Sequence, residues 1–165
     1  MYDPKKGYLD TFGDNGVGGQ YVTTANSTNR DNGSGTWKIL SAANKGGVVK
    51  YGDLVFLQNQ FGTNKGFLDT RGRINHSNCY FNVETSKEAN RDQGSGTWEI
   101  NSKDPNKKGF PLLVGDDFHL INQYDKFCGY LDTFGYIRTG FGVQTFNTPD
   151  RDPKGSGTWQ FIFTK

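Results

Sequence analysis

Cysteine is scarce in this chain, with Cys79 and Cys128 the whole supply. Two are too few for a small scaffold held together mainly by disulfides. They leave a single bridge and a pair of free thiols both open. No uninterrupted apolar run approaches the roughly 18 residues that a spanning helix requires, so these residues contain no membrane span. Charge of one sign is also lacking. The 19 basic and 17 acidic residues are interleaved and leave a net +2, which removes the field argument for a nucleic-acid partner. The two histidines, His76 and His119, have no cysteine at metal-ligand spacing, so a zinc site is not expected. Asp14-Asn15-Gly16 offers one carboxylate without acidic neighbours, a poor site for a hard cation. No metal and no cofactor is expected.

Glycine and asparagine, by contrast, supply 38 of the 165 residues. Such a chain is built around turns, because both residues tolerate backbone conformations that others avoid. Aromatics make up 15%. That is enough apolar area to offset the ordering entropy, so disorder is not expected. The length suits one domain, residues 1–165.

Self-similarity organises the sequence. Gly7-Tyr8-Leu9-Asp10-Thr11-Phe12-Gly13 returns as Gly66-Phe67-Leu68-Asp69-Thr70-Arg71-Gly72 and again as Gly129-Tyr130-Leu131-Asp132-Thr133-Phe134-Gly135. A second block, Asn29-Arg30-Asp31-Asn32-Gly33-Ser34-Gly35-Thr36-Trp37, returns at Asn90 to Trp98. Its third copy runs from Asp150 to Trp159 with one inserted residue. A third block appears twice, beginning at Gly52-Asp53 and at Gly115-Asp116. The repeats run over 1–50, 51–113 and 114–165, about 60 residues each.

Each repeat reads as four short strands between Gly/Asn turns. Val55, Leu57 and Asn59 alternate with Leu54, Phe56 and Gln58, and Phe118, Leu120 and Asn122 repeat the inward set. No segment carries a sustained helical stripe, so the class is all-β. Three four-stranded units resemble the β-trefoil, which would stack Leu9, Leu68 and Leu131, then Val22, Val83 and Val143, then Trp37, Trp98 and Trp159 as core layers. Met1-Tyr2 aligns with Gln60-Phe61 and Gln123-Tyr124. The first strand of repeat one is therefore expected to be missing, to be supplied by residues upstream or by a partner chain. An opened barrel edge invites self-association.

The Leu-Asp-Thr blocks also resemble those of trefoil lectins of the ricin B-chain type and their fascin-like relatives. The tryptophan of the lectins' Gln-x-Trp motif matches at Trp37, Trp98 and Trp159, while Gly35, Gly96 and Gly157 stand in place of its glutamine. The resemblance implies a carbohydrate-binding module, a lectin or the targeting part of a larger protein, with a glycan as partner and up to three weak, repeat-related sites that gain by avidity. Asp10, Asp69 and Asp132 would accept sugar hydroxyls. Phe12 and Phe134 would pack the apolar face of a pyranose, where repeat two has Arg71, and Asn29 and Asn90 would add amides. Extracellular location follows from the same resemblance.

A structural role competes for the same residues. Arg30, Arg91 and Arg151 recur with the aspartates and are placed to pair with them, and Asp31 with its equivalents suits a turn before Gly-Ser-Gly. No nucleophile–base pair or phosphate-cradling loop is present, so no catalytic residue is assigned and no enzyme is expected. The alternative to sugar binding is a protein-interaction or inhibitor module that contacts its partner through loops.

Overall fold

A computed structural model describes residues 7–63, 65–74, 79–125, 128–137 and 140–163. Met1, Tyr2 and His76, on which parts of the sequence reading fall, lie outside the described residues. Among the described residues ten strands follow in order: β1 (Tyr8–Phe12), β2 (Tyr21–Ala25), β3 (Trp37–Ser41), β4 (Leu54–Asn59), β5 (Phe67–Arg73), β6 (Phe81–Ser86), β7 (Trp98–Asn101), β8 (His119–Asn122), β9 (Gly129–Ile137) and β10 (Gly140–Phe146). Among the described residues there is one 3-10 turn, Pro105–Lys107, and it opens with Asp104 Oδ1 accepting from the Asn106 N–H.

The all-β class holds, and the alternation that announces it is visible in β4. Val55, Leu57 and Asn59 are buried there while Leu54 is exposed. In β8 both faces are covered, so all four residues are buried. Strand pairing is antiparallel throughout, and it closes on itself through β2, β6, β5, β4, β7, β8, β9 and β10, with β10 returning to β2. Strand β1 lies outside this ring on β2, and β3 lies outside it on β4.

This closed eight-stranded barrel corrects the expected β-trefoil. The repeats do not contribute equally: repeat two places β4 to β7 in the ring, while repeat one places only β2 there. The last tryptophan block makes no strand and only an isolated bridge between Phe118 and Trp159. Repeated turn motifs dictate repeated corners, but which strands become neighbours depends on long-range pairing that no local motif encodes. Strands β2, β6 and β10 occupy equivalent places in the three repeats, and they join one another through single-residue contacts that complete the ring.

The core gathers Val22, Val83 and Val143 with Leu68, Leu131, Trp98 and Ile100. Leu9, Trp37 and Trp159 pack against it but stay half-buried. All three indoles nevertheless donate to the same acceptor, the carbonyl of the repeated leucine: Leu9, Leu68 and Leu131, each at 2.9 Å. Cys79 and Cys128 form a disulfide that ties the β5–β6 connection to the β8–β9 connection. Bridging residues 49 apart in sequence removes loop-closure entropy from the unfolded chain and so favours the folded one.

Candidate functional site

The repeated turn that follows β2, β6 and β10 decides where the aspartates go. Gly33 and Gly94 both adopt φ of +119°, and a Cβ on either would sit 2.6 Å from a backbone carbonyl, of Gln60 or Gln123. Only glycine lets the turn approach so closely. The approach carries Ser34 and Ser95 under the strands, where their carbonyls accept from the N–H groups of Thr11 (3.1 Å) and Thr70 (3.0 Å). Asn59 and Asn122 lock the same corners, donating to the Ser34 and Ser95 carbonyls at 2.8 Å.

Asp10, Asp69 and Asp132 sit at the centre of these corners at 0%, 2% and 0% exposure. The serine hydroxyl of each turn donates to its aspartate: Ser34 at 3.2 Å, Ser95 at 2.9 Å and Ser156 at 2.8 Å. Arg30 and Arg91 each add a guanidinium at 3.0 Å and also donate to the carbonyl of Thr11 or Thr70. Repeat three departs. There the Arg151 backbone N–H donates to Asp132 Oδ2, while its guanidinium, 4.9 Å from the Phe146 ring centroid, donates to the Thr133 carbonyl at 3.0 Å as its counterparts do and makes no ion pair with the aspartate. Asp132 Oδ1 is buried with no hydrogen-bond partner. Burial pushes all three carboxyls above the ordinary aspartate value, against the lowering pull of the serines and arginines.

The other sugar-site candidates are dispersed. Asn29 and Asn90 are exposed, but their side-chain oxygens accept from Gly33 N–H and Gly94 N–H inside the turn. Phe12 stacks on Tyr21 across the β1–β2 pair, with ring centroids 5.5 Å apart. Phe134 lies over Gly142, its cross-strand partner, in the space a side chain there would need. The structure thus brings each aspartate to its own arginine or serine and does not gather acid, aromatic and amide around one open cleft.

Three surface features went unread in the sequence. An aromatic groove of about 400 Å³ runs between Leu40, Asn44, Lys45 and the edge-on pair Phe56 and Phe67. A polar groove of about 350 Å³ is formed by Lys103, Asp104, Asp116, Asp117, His119 and Gln160, among others. The third feature is an apolar face. Leu112 N–H donates to Val49, Tyr51 N–H to Phe110, and Gly115 N–H to Phe161, which brings three segments side by side. On them Val48 (65%), Phe110 (63%), Leu113 (63%) and Phe163 (85%) are exposed, together with Val114 and Ile162. The doubled Asp116-Asp117, where repeat two has Asp53-Leu54, was the one sequence signal for the polar groove. Among the described residues no group of three metal-ligating side chains converges, and no helix is long and apolar enough to cross a membrane.

Fold and surface together define a disulfide-tied, closed antiparallel barrel with shallow grooves and an apolar face. No family model and no curated sequence matches the chain. Among solved structures, a Caenorhabditis elegans protein of unknown function is similar, at 19% identity and TM-score 0.66, over 92% of this chain and 84% of that one. The SDF2-like protein from Arabidopsis thaliana is similar at 17% identity and TM-score 0.64, over 97% of this chain and 88% of that one. At such identities the likeness is one of fold. The resemblance to ricin B-type lectins is accordingly corrected: the chain closes as a barrel, and the solved structures it is similar to include an SDF2-like protein and a protein of unknown function.

Proposed function

We propose that the chain is a non-catalytic interaction module that binds an extended segment of a partner polypeptide along Gln160–Phe163. The observation that carries this reading is the apolar face on three hydrogen-bonded segments. Exposed apolar side chains carried on neighbouring segments mark interaction sites. The backbone beside it supports the mode of binding. Among the described residues only Phe161 O, of the backbone groups in Gln160–Phe163, takes a backbone partner, and an unpaired edge accepts an added strand. Self-association is the case in which a second copy supplies that strand. The disulfide supports an oxidising, extracellular setting.

A synthetic peptide of alternating valine and threonine tests the reading by fluorescence anisotropy. The expected result is saturable binding that Phe163→Lys weakens about tenfold, with sedimentation reporting whether copies also pair. Binding that is absent, or indifferent to Phe163→Lys, defeats it.

Carbohydrate binding is the second reading, and the groove beside Phe56 and Phe67 is what favours it. Its lining of Phe56 and Phe67 together with Ser41, Asn44 and Lys45 suits the apolar face and the hydroxyls of a pyranose. A glycan array probed with the wild type and with Phe67→Ala decides. A ligand lost in the variant supports the reading, and an array without any ligand removes it.

A further inference from the structure

The first two repeated corners are each closed by a strand from the next repeat, in the same way both times. Strand β4 runs antiparallel to β3 with Asn59 opposite Trp37, and β8 runs antiparallel to β7 with Asn122 opposite Trp98. Each asparagine donates its amide to the serine carbonyl of the corner, Ser34 or Ser95, at 2.8 Å. Its oxygen accepts from the hydroxyl of Thr11 or Thr70. The glutamine that follows, Gln60 or Gln123, donates its backbone N–H to the Thr36 or Thr97 carbonyl at 2.9 Å. Its own carbonyl fills the space beside Gly33 or Gly94. The two closing strands share Leu-x-Asn-Gln, with an apolar residue, Val55 or Phe118, two positions before the leucine.

The third corner has the same internal parts. Asp132 and Ser156 are buried, Thr133 donates its N–H and its hydroxyl to the Ser156 carbonyl, and the Trp159 indole reaches Leu131. It differs on the side that the other corners turn to a closing strand. Among the described residues no side-chain amide donates to the Ser156 carbonyl, and no N–H donates to the Thr158 carbonyl. A Cβ at Gly155 would touch only Thr158 of its own turn, at 3.4 Å. Gln160 and Ile162 make no backbone hydrogen bond among the described residues. Their counterparts in β7, Glu99 and Asn101, pair with Ile121 and His119 of β8. Burial follows the pairing. Trp98 and Ile100, held between β4 and β8, are completely buried. Trp159 and Phe161 are bonded only to Phe118 and Gly115, on one side, and stay half-buried.

We infer that the third corner reads the sequence of the partner segment that docks along Gln160–Phe163, and that this segment carries the pattern apolar-x-Leu-x-Asn-Gln. The inference rests on the edge-binding reading for the place of the segment and adds its direction, register and sequence. The segment runs antiparallel to residues 158–162. Its asparagine stands opposite Trp159 and donates to the Ser156 carbonyl, and its glutamine N–H donates to the Thr158 carbonyl. Its leucine stands opposite Phe161, as Leu57 stands opposite Ile39 and Leu120 opposite Ile100, and covers the half-exposed ring. Gly155 leaves the room that the glutamine carbonyl takes up at Gly33 and Gly94. An asparagine is required there because its amide supplies a donor and an acceptor at once.

The chain's own closing strands supply the probe. A fluorescein-labelled peptide with the sequence of residues 52–60, Gly-Asp-Leu-Val-Phe-Leu-Gln-Asn-Gln, is titrated with the full chain by fluorescence anisotropy. The same peptide carrying Asn59→Ala and the alternating valine–threonine peptide are titrated beside it. Saturable binding of the first peptide is expected, weakened about tenfold by Asn59→Ala. Hydrogen exchange at the Gln160 and Ile162 amides is expected to slow when the peptide is bound. Equal binding of the parent and Asn59→Ala peptides, or binding of the valine–threonine peptide alone, overturns the inference and leaves the edge reading standing. Weakening by Asn59→Ala without protection of those two amides also overturns it, because the asparagine is then read elsewhere. If none of the three peptides binds, the edge reading fails and the inference fails with it.

Discussion

Trp98→Ala is expected to lose about 3–5 kcal/mol of unfolding free energy, measured by urea denaturation. The indole is completely buried and packs in the core with Val55, Leu68 and Ile100. Truncation removes its transfer free energy, leaves a cavity, and strips the Leu68 carbonyl of its donor at 2.9 Å. Strand β7 carries the residue between β4 and β8, so the void opens inside the barrel wall, where collapse is hindered from both sides. The same change at Trp37 or Trp159 removes a half-buried ring and is expected to cost less. A loss below about 1 kcal/mol at Trp98 would show that the ring is not part of the packing that holds the barrel closed.

Asp69→Asn and Asp132→Asn are expected to differ sharply although they change the same motif. At Asp69 the carboxylate accepts from both Ser95 and Arg91. An amide keeps one acceptor and turns an N–H toward the other donor, and the guanidinium loses its counter-charge. The expected cost is about 3 kcal/mol. At Asp132 the guanidinium does not reach the carboxylate, and Oδ1 has no partner. The amide carbonyl introduced by Asp132→Asn can take the place of Asp132 Oδ2 as acceptor. A buried charge disappears with the same change, so the effect is expected to fall within about 1 kcal/mol of neutral. The pH dependence carries the same signature. Because burial raises the Asp132 carboxyl above its unfolded value, the folded state binds more protons there, and stability falls as pH rises from the unfolded value through the folded one. Asp132→Asn lacks that titration. Its stability relative to the wild type should therefore improve as pH rises through that window, read from urea midpoints at a series of pH values. Equal losses at both positions would mean that the arginine contributes nothing to the corner.

Period-two alternation was enough to place β4 and to assign its inward residues, because burial on one face imposes the pattern residue by residue, whereas β8 is buried on both faces and its alternation does not mark an inward set. The Asn-Arg-Asp-x-Gly-Ser-Gly-Thr-Trp block was equally legible as a corner, since its glycine must adopt positive φ and its serine and aspartate have donors and acceptors within a few residues. The pairing of Arg30 with Asp10 and of Arg91 with Asp69, weighed from recurrence alone, is what the structure contains. The polar groove and the apolar face were not legible. Their members come from separate strands and loops, and nothing in the spacing of Val48, Phe110 and Phe163 marks them as neighbours.

What the sequence by itself determined is local and repeated: an all-β chain, three copies of a tight corner, and an aspartate at the heart of each. These depend on interactions spanning one turn or one hairpin, which the order of residues specifies directly. Only the tertiary structure decided that the strands close as an eight-membered ring, that the aspartates are sealed from solvent, and that Cys79 meets Cys128. Each of those outcomes depends on which distant segments pack together, and identical local motifs permit more than one way of packing them.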